Sequence, residues 1–381
     1  MKQTIMIIAG EASGDAHAER LVKAIQNRDK TIQFIGVGGD KMRSAGVKIY
    51  VHLKDLSVVG ITEVFSKRGG IFSGLSTAKQ MLREKKPDLL ILIDFPDFNL
   101  IVAKTAKNLG IPVLYYVCPQ LWAWRSGRVK KIKQRVDHMA VILPFEVDFY
   151  HKHNVPATYV GNPLLDHQAI QKPDKIDDTT IKTIGLLPGS RDGEIKNLLP
   201  IMTQAADILA GRYDHIQFLI PRAPTIQRTH IQAILDSMPG KNKPQFSILE
   251  DDARYVYYLS DLLIVASGTA TLEAALAETP MIIIYKLSPA SYFLGSLIID
   301  VPHVGLANLV AGQRVVPELI QEEATPEIIF QTACDLLDNP DRLLRIRRKL
   351  KLVRQRLGGP GASKRTADIA FQLIQKRKIH G

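Results

Sequence analysis

Residues 4–15, TIMIIAGEASGD, run a near-continuous apolar segment straight into a turn of small residues. A strand without polar alternation is one buried on both faces, and a small-residue turn after it is where a helix begins. The pattern recurs. IQFIGV, DLLILID, PVLYYV and MAVILP follow in the first half, then KTIGLLP, IQFLIP, FSIL, DLLIVA and PMIIIY in the second, with longer amphipathic stretches between them. Short Val/Ile/Leu strands alternating with helical stretches predict an α/β fold of parallel sheets covered on both faces, built twice. Between the two sets, residues 161–182, GNPLLDHQAIQKPDKIDDTTIK, are polar and Pro-containing, as a linker is. We place one domain at 1–165 and a second at 166–345, with C-terminal helices at 346–381 returning to pack on the first.

A chain of 381 residues with 46% hydrophobic content can fill a core in each of two domains. The two cysteines, Cys118 and Cys334, have no metal-ligand spacing, so neither a disulfide framework nor a zinc site is predicted, and a reducing compartment fits. The N-terminal run enters a core strand without a small-residue cleavage site, and no apolar run approaches the ~18 residues of a membrane span. The expected location is cytoplasmic. Fifty Lys and Arg against 38 Asp and Glu give a net charge of +12, which favours an anionic partner: nucleic acid, an acidic membrane surface or a phosphorylated substrate. Part of that charge lies on one amphipathic stretch, where Leu343, Ile346, Leu350, Val353 and Leu357 form an apolar stripe and arginines and lysines from Arg342 to Arg356 cover the rest. A solvated face on a packed helix and a role at an anionic surface both fit it. GGPGAS at 358–363 breaks that helix, and Ser363 is placed to cap a last helix through Lys376.

The second half carries the phosphate apparatus. In LLPGSRDGEI, residues 186–195, Gly189, Ser190 and the following amides sit between a strand and a helix, with Arg191 beside them. In ASGTATLEAALAETP, residues 266–280, the small residues Ser267, Gly268, Thr269, Ala270 and Thr271 let amides and hydroxyls approach a diphosphate, and Glu273 lies one turn on, where a carboxylate accepts ribose hydroxyls. Either turn alone is equally a packing turn; the two together predict a nucleoside-diphosphate site. AGEASGD then has no phosphate to hold, lacks G-x-G-x-x-G spacing, and offers Glu11 and Asp15 to sugar hydroxyls instead. Its companion is LILIDFPDFNL, residues 90–100, where Asp94 ends a buried-type strand and Asp97 and Asn99 follow, either as ligands or as helix caps.

GEASGD, GVGG, VVGITEV, IDFPDFN, CPQLWAWR, LPGSR and SGTATLEAAL, in this order, resemble the lipid-A-disaccharide synthase family of inverting glycosyltransferases, whose fold is the two-Rossmann B-type. The resemblance implies transfer of 2,3-diacylglucosamine from its UDP derivative to the 6-hydroxyl of 2,3-diacylglucosamine 1-phosphate, with no metal or other cofactor. It implies Asp94 as general base, Arg191 with Ser190 at the diphosphate, Thr269, Ala270 and Thr271 lining it, Glu273 at the ribose, and Gly14 and Asn308 as further substrate contacts. One departure is Asn162 in VGNPL, where relatives commonly have His. The implied partners are the two acylated sugars and an anionic inner-membrane surface, not nucleic acid, and a homodimer is compatible. Residues 64–79, VFSKRGGIFSGLSTAK, mix Phe65, Ile71, Phe72 and Leu75 with Lys67, Arg68 and Lys79, a composition suited to such a surface or to a loop packed inward. A nucleotide-sugar epimerase of the same fold is the alternative enzyme, and release of free UDP separates the two. A nucleic-acid-binding protein is the alternative class, with the helix at 342–356 as its best support and no recognised binding motif beside it.

Overall fold

Every strand is parallel to its neighbours, because each is followed by a crossover rather than a hairpin. The computed structural model describes residues 3–56, 66–119, 121–122, 126–166, 181–238, 240–250, 254–286 and 302–380, with side chains from 70 onward in the second of these and to 379 in the last. Residues 57–65, which include VVGITEV and Phe65, lie outside the described residues, as do Ala123, Trp124 and Arg125 of CPQLWAWR. The chain divides into two compact units: Met1–His167 with Gly358–Gly381, and Gln168–Leu357.

The first unit holds β1 (Thr4–Ala9), β2 (Gln33–Gly38), β3 (Lys48–His52), β4 (Leu89–Ile93), β5 (Val113–Tyr116), β6 (His138–Val141) and β7 (Ala157–Tyr159), in the spatial order β3-β2-β1-β4-β5-β6-β7. Successive side chains leave opposite faces of a strand. Met6, Ile8, Leu90, Leu92, Val113 and Tyr115 therefore enter one core, and Ile5, Ile7, Leu89, Ile91, Ile93, Leu114 and Tyr116 enter the other. This double burial is why the runs show no polar alternation. The second core is closed by the last helix, Ala362–His380, which supplies Ala367, Ile369, Ala370 and Ile374.

That helix is not capped by Ser363. Asp166 does it from the end of the first segment: one carboxylate oxygen accepts from the amides of Gly361 at 2.5 Å and Ala362 at 3.2 Å, the other from the amide and hydroxyl of Ser363 at 3.2 and 3.3 Å. Ser363 stands inside the first turn, so its hydroxyl is a donor to the cap rather than the cap itself.

The second unit holds β8 (Lys182–Leu187), β9 (Ile216–Pro221), β10 (Gln245–Leu249), β11 (Leu262–Ala266), β12 (Met281–Tyr285) and β13 (Glu318–Ile320), ordered β10-β9-β8-β11-β12-β13. Its last helix is Pro340–Arg356, started by Asn339, whose side-chain oxygen accepts from the Arg342 amide at 3.1 Å. Ile346, Leu350 and Val353 are buried against the helices Ala270–Leu276 and Leu306–Ala311. The sequence groups 346–381 as one returning piece; by packing, this helix stays with the second unit, and the chain returns only after Leu357, at the glycines. Among the described residues, no helix is long and apolar enough to cross a membrane.

Candidate active site at the switch points of the two sheets

In a parallel sheet, ligands bind beyond the C-terminal strand ends where the strand order reverses, since the turns diverge there and leave a crevice. In the first sheet the reversal lies between β1 and β4, paired from Ile5↔Leu89 to Ala9↔Ile93. In the second it lies between β8 and β11, paired from Leu262↔Ile184 to Val265↔Leu187. GEASGD follows β1 and DFPDFN follows β4; LPGSR closes β8 and SGTAT follows β11. All four motifs thus fall, in pairs, on the two switch points.

In the first unit the pair interlocks. A Cβ on Gly10 would run into the Phe95 ring, so glycine there lets the second turn lie over the first. Asp94 and Phe95 both adopt left-handed backbone, φ +47° and +48°. Such a conformation at a non-glycine residue persists only when its surroundings over-determine it. Here the Asp94 carbonyl accepts from the Tyr115 hydroxyl at 2.6 Å and from the Asn99 side-chain amide at 2.6 Å, while the Asp94 amide donates to the Val117 carbonyl at 3.2 Å. Asn99 is fully buried and its amide also reaches the Ile93 carbonyl at 3.2 Å, so it fixes the turn and is not turned to solvent. Asp97 is exposed and pairs with Arg128 at 2.6 Å.

The carboxylates of GEASGD part company. Glu11 is exposed at the start of the helix Ala12–Gln26. Asp15 is buried, and its two oxygens accept from the amides of Gly39 at 2.7 Å, Lys41 at 3.0 Å and Met42 at 3.2 Å. It caps the short helix Asp40–Ser44 and so holds GVGG against GEASGD, work of a structural kind in place of a sugar contact. Gly14 is buried, with Ala9 and Ile93 at 3.4 and 3.5 Å from where a Cβ would stand. Asn162 is buried too, its amide donating to the Ile142 carbonyl at 3.2 Å and its oxygen accepting from the Leu164 amide at 3.0 Å. A side chain that closes such a turn has a role without any proton transfer.

In the second unit, Gly189 at φ +118° turns the chain out of β8. Glu194 folds back so that one oxygen accepts from the Ser190 and Arg191 amides at 2.9 and 3.3 Å, with the Arg191 guanidinium 3.7 Å from the other. The Arg191 side chain is 73% exposed and heads the helix Asp192–Ala210. Across the switch point, Thr269 is exposed, Ala270 is partly exposed, and Thr271 is buried with its hydroxyl donating to the Gly268 carbonyl at 2.8 Å. Glu273 accepts from the buried Tyr257 hydroxyl at 2.7 Å. The Ser267 hydroxyl donates to the Val304 carbonyl at 2.9 Å, which ties the SGTAT turn to the segment before β13. Asn308 organises that segment and is fully buried: its amide donates to the Val316 carbonyl at 2.9 Å and to Glu318 at 2.8 Å, and its oxygen accepts from the Val315 and Val316 amides at 2.7 and 3.0 Å. Two donors and two acceptors exhaust an asparagine side chain, so Asn308 shapes the site from behind.

Residues 5–372 match the family described as lipid-A-disaccharide synthetase. The lipid-A-disaccharide synthase of Geobacter metallireducens is 44% identical over 380 residues, covering 98% of each chain. The chain belongs to the lipid-A-disaccharide synthase family. It is an enzyme, a hexosyltransferase of the two-Rossmann B-type fold. Two solved structures share that fold: MurG of Acinetobacter baumannii, with a TM-score of 0.59 at 16% identity over 98% of this chain and 99% of its own, and the UDP-GlcNAc 2-epimerase of Neisseria meningitidis bound to UDP-GlcNAc, with a TM-score of 0.62 at 13% identity over 98% and 100%. At such identities the epimerase likeness speaks for fold alone.

Several residues that the lipid-A-disaccharide synthase motifs do not announce emerge from the packing. Tyr257 lies 16 residues before Glu273, across β11, and only their meeting shows that it orients the Glu273 carboxylate. Glu146, behind the Asp94 edge, is almost fully buried, and burial pushes its carboxyl up to about 7. A cavity of about 620 Å³ lined by Lys107, Asp137, Lys376 and Arg377 lies at the N-terminal edge of the first sheet, away from all four motifs. Among the described residues, no group of His, Cys, Asp or Glu is placed to hold a metal ion.

Proposed function

We propose that this chain transfers 2,3-diacylglucosamine from UDP-2,3-diacylglucosamine to the 6-hydroxyl of 2,3-diacylglucosamine 1-phosphate, forming the β-1,6-linked disaccharide 1-phosphate and UDP. The observation that carries it is the pairing of family motifs on the two switch points: a carboxylate at a strand end in one sheet, an arginine with loop amides in the other. In the reaction the acceptor's O6 attacks the anomeric carbon as the bond to the diphosphate breaks, and inversion follows from one displacement. Asp94 takes the proton of the hydroxyl, a step typically worth ~10²–10⁴-fold. Arg191 receives the charge that develops on the departing UDP, and Glu273 holds the ribose. For the Ser190 and Arg191 amides to join Arg191, the Glu194 carboxylate must yield them.

Acylated substrates bring the enzyme to a membrane surface, and two exposed features suit an anionic one. Ile71 and Phe72 are 37% and 65% exposed on the helix Ser66–Lys85, while Leu75 of the same stretch packs in the core. The helix Pro340–Arg356 presents Arg345, Arg348 and Lys349 with Leu344 and Leu352 exposed among them. The deciding experiment incubates the purified chain with the UDP-linked and 1-phosphate lipids and weighs the product. A disaccharide 1-phosphate with stoichiometric UDP supports the assignment; UDP-sugar turnover without a disaccharide refutes it.

A further inference from the structure

Behind the Asp94 edge lies a buried polar group that the transfer chemistry leaves unused. Glu146 opens the helix Glu146–Lys152 after β6 and is 1% exposed. One carboxylate oxygen accepts from the Trp122 indole N–H at 3.0 Å; the other accepts from the Leu143 and Ile142 amides at 3.0 and 3.2 Å. The Trp122 ring stands edge-on to Phe145, centroids 4.9 Å apart at 88°. Trp122 lies on the segment that leaves β5, and this segment also receives bonds from both sides: Pro119 from the Tyr150 hydroxyl at 3.5 Å, and Val117 from the Asp94 amide at 3.2 Å. Glu146 thus fixes, through one indole, the stretch on which Asp94's own amide is anchored.

We propose that Glu146 is a positioning residue for the acceptor half of the reaction, acting through Trp122 on the segment that anchors Asp94. This rests on the transferase reading of the site. A buried carboxylate is retained at a desolvation cost, and three donors converging on it stabilise its ionised form. Burial nonetheless raises its carboxyl to about 7. The groups facing it are the Trp122 indole, the Cys118 thiol on the same segment, Tyr150 on its own helix and Tyr159 on β7. Burial pushes the thiol and both phenols up, so they stay neutral through this range and Glu146 alone changes charge. Protonation removes the charge that strengthens the three N–H contacts and adds an O–H donor among them, so the hold on the Trp122 indole loosens. The acceptor step should therefore weaken as pH falls through about 7.

The test uses Glu146→Gln and Trp122→Phe in the full chain, the former also in a Trp124→Phe background where Trp122 is the sole tryptophan. Glu146→Gln mimics the protonated form. We expect kcat/KM for the acceptor lipid to fall by about 10²-fold, the scale of a misplaced reacting group, with UDP affinity unchanged. We expect its pH profile to lose the inflection near neutrality and Trp122 fluorescence to stop titrating there. Trp122→Phe removes the same bond from the other side and should reproduce the kinetic loss even if Glu146→Gln fails to fold. Parent-like acceptor kinetics in Trp122→Phe, or a fluorescence titration that survives Glu146→Gln, overturns the proposal. Because the fluorescence arm needs no substrate, a parent inactive on the two lipids refutes the transferase reading separately.

Discussion

Asparagine is the informative replacement for Asp94, and the backbone shows why. At φ +47° the residue sits in the left-handed region, where Asp and Asn are the side-chain-bearing residues most easily accommodated. Asp94→Ala would add ~1–2 kcal/mol of backbone strain to any catalytic effect. The bonds from Tyr115 and Asn99 go to the Asp94 carbonyl, which neither substitution alters. Asp94→Asn therefore keeps those bonds and the backbone conformation while it removes the carboxylate's charge and basicity. A positioned base contributes ~10²–10⁴-fold, or roughly 3–5 kcal/mol of barrier, and kcat should fall by that factor. UDP affinity by calorimetry should be unchanged, since the turns proposed to hold the diphosphate, LPGSR and SGTAT, belong to the other unit. Asp94→Ala should lose as much turnover and also melt several degrees lower, at about 2–4 °C per kcal/mol for a unit of this size. Single-turnover product formation by mass spectrometry is the assay. Turnover of Asp94→Asn within about threefold of the parent would falsify the assignment of the base.

Arg191→Ala should weaken UDP binding as well as turnover, because a charge-assisted contact worth ~1.5–3 kcal/mol operates in ground and transition states alike; unchanged affinity by calorimetry counts against the diphosphate assignment. Tyr257→Phe removes one hydrogen bond that orients Glu273, a loss of ~0.5–1.5 kcal/mol, so UDP should bind roughly two- to tenfold more weakly and its advantage over 2′-deoxy-UDP should shrink. An undiminished advantage in Glu273→Gln would refute the ribose contact itself. Glu146 makes stability depend on pH. Its carboxyl holds a proton up to about 7 when folded, against 4.5 in its ordinary state, so its contribution is complete below 4.5 and is lost as pH rises through 7, about 3 kcal/mol in all. Urea midpoints of Glu146→Gln should lack this decline, and a parallel slope in both proteins sinks the attribution. Phe72→Ser should reduce sedimentation with anionic vesicles severalfold without lowering the melting temperature, given that Phe72 is 65% exposed; a large drop in melting temperature would return that ring to the core.

The strands were legible because double burial leaves a local mark: Ile5 to Ile8 and Leu89 to Ile93 are apolar on consecutive residues, whichever face each serves. The four motifs were legible as turns for a similar reason, since a strand end followed by Gly, Ser or Thr is a short-range pattern. What the composition of a turn does not disclose is where its side chains spend their hydrogen bonds. Asp15 reads as a ligand until Gly39, Lys41 and Met42 arrive from the next turn. Asn308 reads as a substrate contact until four bonds to its own segment and to β13 exhaust it. Ser363 reads as a cap until Asp166 comes in from the other end of the intervening unit. Residues 64–79 show the same limit in apolar form: Leu75 and Phe72 are indistinguishable by hydropathy, and only packing sends one inward.

The Asp166 cap carries a consequence for the order in which the molecule is made. Helix Ala362–His380 is synthesised after the whole second unit, yet it seals the core that contains β1, made before that unit. The second unit is one uninterrupted stretch and can complete itself as soon as it is synthesised. The first must wait with the Ile5, Ile7 and Ile91 face of its sheet covered only in part, by the helix Ala12–Gln26, until the second unit has been made. A nascent chain stalled before the GGPG turn should therefore combine a finished second half with a sticky first half and be a preferred client for holding chaperones, while the released full-length chain should not.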